Sequence, residues 1–174
     1  MKSSVLGELK QDSNIEEWYY SEPVKVPLLE NQKLKFVVEV AEGEEVPADA
    51  DEAIRAFLHL KAQDKNSITP YLYEYYKSLV VAVDEEEREL TIDAAEDVWR
   101  YVEFEEIHVA RRLWGDQKIY IKIEGECHWD EEHGLQIVMR SGNELCRVSG
   151  QDGALTNTDA FASCIDESVI LYDA

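Results

Sequence analysis

The chain has 174 residues, 45% of them hydrophobic, and 38 acidic against 17 basic side chains give a formal charge of −21 at pH 7. That length fits one domain spanning residues 1–174, at about 150 residues per domain, and such a chain buries enough surface to fold without disulfide staples. A field of this sign repels phosphate backbones and anionic lipid, which disfavours direct binding to nucleic acid or membrane, so neither is expected, and favours a basic protein or a cation.

Residues 5–9 predict a short strand, followed by the polar loop Asp12-Ser13-Asn14. Trp18-Tyr19-Tyr20-Ser21 begins an extended segment, and Pro23 and Pro27 confine Val24-Lys25-Val26 to an edge or a bulge, because proline donates no hydrogen bond to a ladder. Over residues 33–41 the period is two, with Leu34, Phe36, Val38 and Val40 on one side and Lys33, Lys35 and Glu39 on the other. The acidic loop 42–47 follows. Asp49 or Asp51 is placed to cap a helix whose apolar stripe is Ile54, Phe57 and Leu58, with Leu60 as a further candidate and His59 either partly buried or surface filler rather than a ligand.

Ser67 or Thr69 would open a second helix, with Pro70 in its first turn. Its stripe is Ile68, Tyr71, Leu72, Tyr75, Tyr76, Leu79, Val80 and Val83, at the spacing of a packed face. Residues 84–89 are a charge run, read as a solvated linker. Asp93 and Glu96 have capping-box spacing before a short helical turn through Trp99. From Phe104 the period returns to two, with Ile107 and Val109 inward. Trp114-Gly115-Asp116 turns the chain into a strand lined by Ile119, Ile121 and Ile123, which makes a hairpin. Leu135, Ile137 and Met139 mark a third strand of this group, and Ser141-Gly142-Asn143 a tight turn into a fourth over residues 144–149. Thr156 or Thr158 caps a last helix carrying Phe161 and Ile165, and residues 168–172 read as an edge strand. The expected fold is α+β: a mostly antiparallel sheet with two or three helices packed on one face and a C-terminal β-meander. The other face must be solvated or covered by a loop or a partner.

Cys127, Cys146 and Cys164 are odd in number and lack CxxC spacing, which suits a reducing compartment. The first eight residues show no apolar leader, and the longest aliphatic run, 79–83, is too short to span a bilayer. A cytoplasmic location is expected.

Chemically versatile side chains gather in Cys127-His128-Trp129-Asp130-Glu131-Glu132-His133-Gly134 and downstream at Asp152 to Asp159. Cys127, Glu132 and His133 are ligand types for zinc, but neighbouring strand residues point to opposite faces, so the spacing is weak and no cofactor is expected. Glu132 and His133 with Asp152 and Asp159 could make an acid–base pair, although adjacency in sequence is not geometry. The three acids at 130–132 disfavour a low-pKa Cys127 nucleophile. Asp152, Asn157 and Asp159 offer oxygens without the register of a calcium loop, and a turn followed by a helix cap explains them as well. Trp129, Glu132, His133, Asp152 and Asp159 are therefore nominated as a binding surface rather than a catalytic centre.

Residues 127–136, then Gln151-Asp152-Gly153-Ala154-Leu155-Thr156 with Asp159-Ala160, resemble a family of uncharacterised bacterial domains. Its members read Cys-Asp-Trp-Glu-x-Glu-His-Gly-Leu-Gln and then Asp-Gly-x-Leu-Thr. Ile119-Tyr120-Ile121 and Trp18-Tyr19-Tyr20-Ser21 are similar too. His128 and Asp130 depart from the pattern, which speaks against His128 as an essential ligand. The resemblance brings no activity with it. The expected function is a non-catalytic module that binds a basic protein, an immunity-like inhibitor being one form by analogy. A metal-dependent enzyme using 127–133 and 152–159, or a small-molecule sensor using the open sheet face, are the alternatives.

Overall fold

The period-two segments build the centre of the molecule. The computed structural model describes residues 1–80, 90–161 and 170. Its elements in chain order are β1 (Lys2–Ser3), β2 (Gly7–Glu8), β3 (Lys10–Gln11), β4 (Trp18–Tyr20), β5 (Val24–Val26), β6 (Gln32–Glu39), α1 (Ala48–His59), α2 (Lys65–Val80), β7 (Val102–Arg111), β8 (Ile119–Cys127), β9 (Leu135–Arg140), β10 (Glu144–Ser149) and α3 (Asn157–Phe161). Short 3-10 turns at Pro27–Leu29, Ala62–Asp64 and Ala95–Tyr101 link them.

The main sheet runs β10-β9-β8-β7-β6-β4-β3, and β5 also pairs with β6. β4 takes Val37 to Glu39 and β5 takes Gln32 to Leu34, so the two share one edge of β6. Ser21 spans the gap between them: its N–H donates to the Phe36 carbonyl at 2.9 Å, and its hydroxyl accepts the Phe36 N–H at 2.9 Å. The prolines at 23 and 27 thus fall where no ladder bond is lost. β6 and β7 are parallel, Lys35 opposite Glu106 through Val38 opposite Val109, while the other pairings are antiparallel. A parallel pair needs a long crossover, which residues 40–101 and their two helices supply.

Those helices cover one face. Ala50, Ala53, Ile54 and Phe57 of α1 and Ile68, Leu72, Tyr75 and Tyr76 of α2 are buried at helical spacing. They join Phe36, Val38, Ile107, Val109, Ile121, Ile123, Leu135, Ile137, Met139 and Val148 in one core. On the opposite face Tyr120, Val138 and Cys146 form a smaller cluster, sealed by Leu155 from the segment after β10. β9 is buried on both sides as a result; all its residues except Arg140 are inaccessible.

Element ends differ from their sequence signals, each for a local reason. The expected strand over 5–9 is broken by Gly7 at φ 83°, and the Ser3 hydroxyl accepts the N–H groups of Val5 and Leu6 to turn the chain back. Neither Asp49 nor Asp51 caps α1; Pro47 takes that position. Asp51 instead accepts the Ser3 hydroxyl and, at 2.7 Å, the Ser4 N–H, tying the first ribbon to the helix. α2 starts at Lys65 because the 3-10 turn before it runs on unbroken, so Pro70 lies inside it. The turn at Ala95 has Ala94 at its start and no side-chain cap, so Asp93 does not serve as one. Thr156 does cap the last helix, accepting the Asp159 N–H at 3.2 Å. Val83, the 84–89 run, Cys164, Ile165 and most of 168–172 lie outside the described residues. Ile170 is described, and its carbonyl accepts the Val148 N–H at 3.3 Å.

Two outcomes test this arrangement. Ile137 is fully buried, so Ile137→Asp places an unpaired carboxylate in the core, and the cooperative thermal transition followed by circular dichroism should vanish. A near-normal melt would refute the strand placement. Gly142 has φ 86°, and a Cβ there would lie 2.0 Å from the Ala53 carbonyl of α1, whereas Gly153, at φ 78°, has nothing within 4 Å. Left-handed backbone costs a non-glycine residue about 1–2 kcal/mol. Gly153→Ala should lose about that much in urea melts, and Gly142→Ala clearly more.

Candidate functional site

Residues 127–134 form a corner that packs on α2. Its organiser is Asp130: one carboxylate oxygen accepts the Tyr75 hydroxyl at 2.7 Å, and the other accepts the His133 N–H at 3.1 Å and lies 2.9 Å from His133 Nδ1. Trp129 meets Tyr75 and Tyr76 edge to face. Cys127 is buried, and its Sγ donates to the Gly134 carbonyl at 3.4 Å. Burial pushes the Cys127 thiol up to about 12, so it is neither a thiolate nucleophile nor a ready zinc ligand near neutral pH. The His133 ring stands largely in solvent, its pKa raised by the Asp130 hydrogen bond and charge, and Glu132 is exposed. The thiol and the imidazole thus sit on opposite sides of the same loop.

The Asp152–Asp159 segment begins beside this corner and then leaves it. Gln151 N–H donates to the His133 carbonyl at 2.8 Å, and Gln151 Nε2 to the Gly125 carbonyl at 2.9 Å. Asp152 crosses to the helix-free face. There it is held by both terminal nitrogens of Arg147, one at 2.6 Å, and by Gln136 Nε2 at 3.0 Å. Burial raises the Asp152 pKa, but the Arg147 hydrogen bonds, the Ala154 N–H, the Arg147 charge and Gln136 outweigh it, and the net shift is downward. Asp159 takes Arg112 Nε at 3.1 Å and Nη2 at 2.8 Å. The structure therefore brings Trp129, Asp130 and His133 together on α2, and pairs Asp152 and Asp159 with separate arginines.

A second gathering of ionisable groups lies on the helix-free face at the middle of the sheet. The β7–β8 register sets Glu106 opposite Glu124 and His108 opposite Lys122. His108 is 3% exposed. Its Nε2 is 2.9 Å from Glu106 Oε1 and 3.3 Å from Glu124 Oε2, and its Nδ1 is 3.7 Å from Glu39 Oε1, too long for a hydrogen bond. Lys122 Nζ is 2.7 Å from Glu124 Oε1, and Trp18 packs edge-on at 5.0 Å. Burial opposes a charge on the ring, as does Lys122, but Glu39, Glu124 and Glu106 together raise the His108 pKa. Sequence reading missed this group. Its trace was the outward pair Glu106 and His108 at i, i+2, which meets Glu124 only once the hairpin register is known.

The far end of that hairpin carries the third feature. Leu113 and Trp114 are 74% and 80% exposed at the turn. Beside them a groove of about 310 Å³ opens between the sheet and the start of α1. Val40, Pro47, Ala50, Val109 and Ile119 provide apolar lining, and Glu17, Glu39 and Glu44 provide acidic lining. Arg111 also lines it but is engaged by Asp49 at 2.7 Å. No helix among the described residues is long and apolar enough to cross a membrane.

These features define an acidic α+β domain built on a mixed, mainly antiparallel sheet. The chain belongs to the family described as domain of unknown function DUF6985, which it matches over residues 5–155. Comparison with curated proteins and with solved structures returned no match.

The Asp152 clamp has a pH signature. A carboxyl whose folded-state pKa is depressed contributes stability above its unfolded value, near 3.8, and loses it as pH falls through the lower folded value. The melting-temperature gap between wild type and Asp152→Asn should therefore be widest near neutrality and narrow below about pH 3.8. A gap that stays constant down to pH 2.5, on the order of one unit lower, would place the Asp152 charge outside the clamp.

Proposed function

We propose that this chain is a non-catalytic module that docks a basic protein, using the Leu113–Trp114 hairpin tip and the adjoining groove. The observation that carries this reading is a solvent-facing tryptophan and leucine beside an apolar cleft with carboxylates in its lining. Tryptophan is the side chain most suited to anchor an interface. The cleft floor suits the methylene stem of a lysine or arginine, and the acids suit its charged head. The net charge of −21 accelerates encounter with such a partner and rejects acidic ones.

Of the groups that a hydrolytic or acid–base reading would use, Glu132 and His133 stand at the surface and the other three are committed internally. Cys127 is a buried thiol, and Asp152 and Asp159 hold Arg147 and Arg112. The segment after β10 also occupies part of the sheet face that a small-molecule sensor would need. An immunity-like inhibitor, which neutralises a basic toxin by covering it, is the narrowest form of this function.

The test pairs capture with a surface variant. Immobilised protein should retain a basic protein from its own source lysate at low salt and release it at high salt. The double variant Leu113→Ser/Trp114→Ser, melting like wild type, should retain on the order of a tenth as much, since losing an anchor costs about 1.4 kcal/mol or more. Equal retention by the variant, or no salt-sensitive basic partner, would overturn the reading.

A further inference from the structure

We infer that Glu106, His108 and Glu124 form a binding site for one divalent transition-metal ion of the zinc type, on the helix-free face of the sheet. Its three donor residues belong neither to the docking surface proposed above nor to the 127–133 segment, although Glu39 lines the groove and also faces His108.

Strand geometry assembles it. Glu106 and His108 are two residues apart on β7 and so share a face, and Glu124 stands directly across from Glu106 on β8. One donor atom from each of the three lies within 4.8 Å of the others. A tetrahedral zinc shell with bonds of about 2.0–2.1 Å sets its donor atoms roughly 3.3 Å apart. His108 Nε2 already stands 2.9 Å from Glu106 Oε1 and 3.3 Å from Glu124 Oε2. Small side-chain rotations complete the shell, with water in the fourth position.

The other nitrogen of the ring points to the same ligand. His108 Nδ1 is buried and has no hydrogen-bond partner among the described residues, yet it faces Glu39 Oε1 at 3.7 Å. A metal-bound histidine commonly turns its free N–H toward a carboxylate, which fixes the tautomer and frees the opposite lone pair. With the proton on Nδ1 and Glu39 drawn in slightly, Nε2 becomes the metal donor. Trp18 braces the ring from β4 at 5.0 Å, so little ordering remains when an ion arrives.

Charge leads to the same conclusion. Glu39, Glu106 and Glu124 bring three negative charges, and Lys122 at 2.7 Å from Glu124 returns one positive. A protonated imidazole leaves the group one charge negative; a divalent ion on a neutral ring balances it. Glu106 and Glu124 side chains are 30% and 17% exposed, so the ion has a path from solvent. An imidazole among the donors favours zinc-like ions over magnesium or calcium, which take oxygen shells.

The experiment uses tag-free, full-length protein stripped with a chelator and titrated with Zn²⁺ by calorimetry, with melting temperature as the second readout. One equivalent should bind and raise the melting temperature, and Mg²⁺ at the same concentration should leave it unchanged. Affinity should fall at least tenfold in His108→Gln and in Glu124→Gln, the second being a more accessible position than His108 that keeps the proposal testable if the first fails to fold. His133→Ala should bind like wild type. Less than a tenth of an equivalent bound, no thermal shift, or equal affinity in Glu124→Gln would overturn the site and establish an ion-paired histidine instead. Loss of binding in His133→Ala alone would do the same, by assigning the ion to the 127–134 corner.

Discussion

Arg147 is 2% exposed, and a guanidinium that has left water must have its donors answered from within the protein. Asp152 takes two of its nitrogens, the Ala154 carbonyl accepts at 3.1 Å, and Asn157 accepts from Nε at 2.9 Å. Those partners are the chain that follows β10, so satisfying one cation dictates the path of residues 150–157. Gln136 on the neighbouring strand reaches the same Asp152 oxygen and the same Ala154 carbonyl. With the segment held there, Leu155 covers Tyr120, Val138 and Cys146, and the β8–β10 end of the sheet is buried on both faces. An antiparallel meander of this kind ordinarily leaves one face wet.

The sheet and its hairpins were legible because the strands from 33 to 149 carry apolar residues at every second position and glycine-containing segments separate them. The stripe of α2 was legible for the same reason, at the helical period. The starts of α1, α2 and the 95–101 turn were not. Asp49, Asp51 and Asp93 all have capping chemistry, but Asp51 has a longer-range partner in Ser3, Asp49 lies inside the first turn of α1 and takes Arg111, and Asp93 precedes a turn that begins without a side-chain cap. Propensity describes what a residue can do next to its neighbours, and tertiary contacts decide which of those options is used. The candidate sites divide along the same line. Residues 127–133 stand out because they are contiguous, yet the structure buries the Cys127 thiol, ties Asp130 to Tyr75 and leaves Glu132 and His133 at the surface. Glu106, His108 and Glu124 are scattered over 19 positions of sequence and meet only through hairpin register. Trp114 reads as a turn residue, since nothing local distinguishes an exposed tryptophan from a packed one.

The excess of acid serves two purposes that composition cannot separate. Asp51, Asp130, Asp152 and Asp159 accept defined hydrogen bonds inside the protein and contribute to its architecture. Glu17, Glu39 and Glu44 line the groove and contribute to its field. Basic residues are few, and several of them, Arg111, Arg112, Arg140 and Arg147, are spent on internal pairs. The surface is consequently more one-signed than the totals imply.

The parallel pairing of β6 with β7 sets an order of events as the chain leaves the ribosome. At roughly 5–20 residues per second, β7 emerges on the order of 3–12 seconds after β6. In that interval β4 and β5 can occupy one edge of β6, but Lys35 to Val38 have no neighbour on the other. Phe36, Val37 and Val38 are fully buried in the finished fold and together make an open, apolar strand edge of the kind that recruits other chains. Lys33 and Lys35, exposed on either side of Leu34, place like charges along that stretch and oppose self-association while it waits. The β6 edge thus stays open until β7 has emerged, and charged residues flanking an apolar strand are a common safeguard for such an edge.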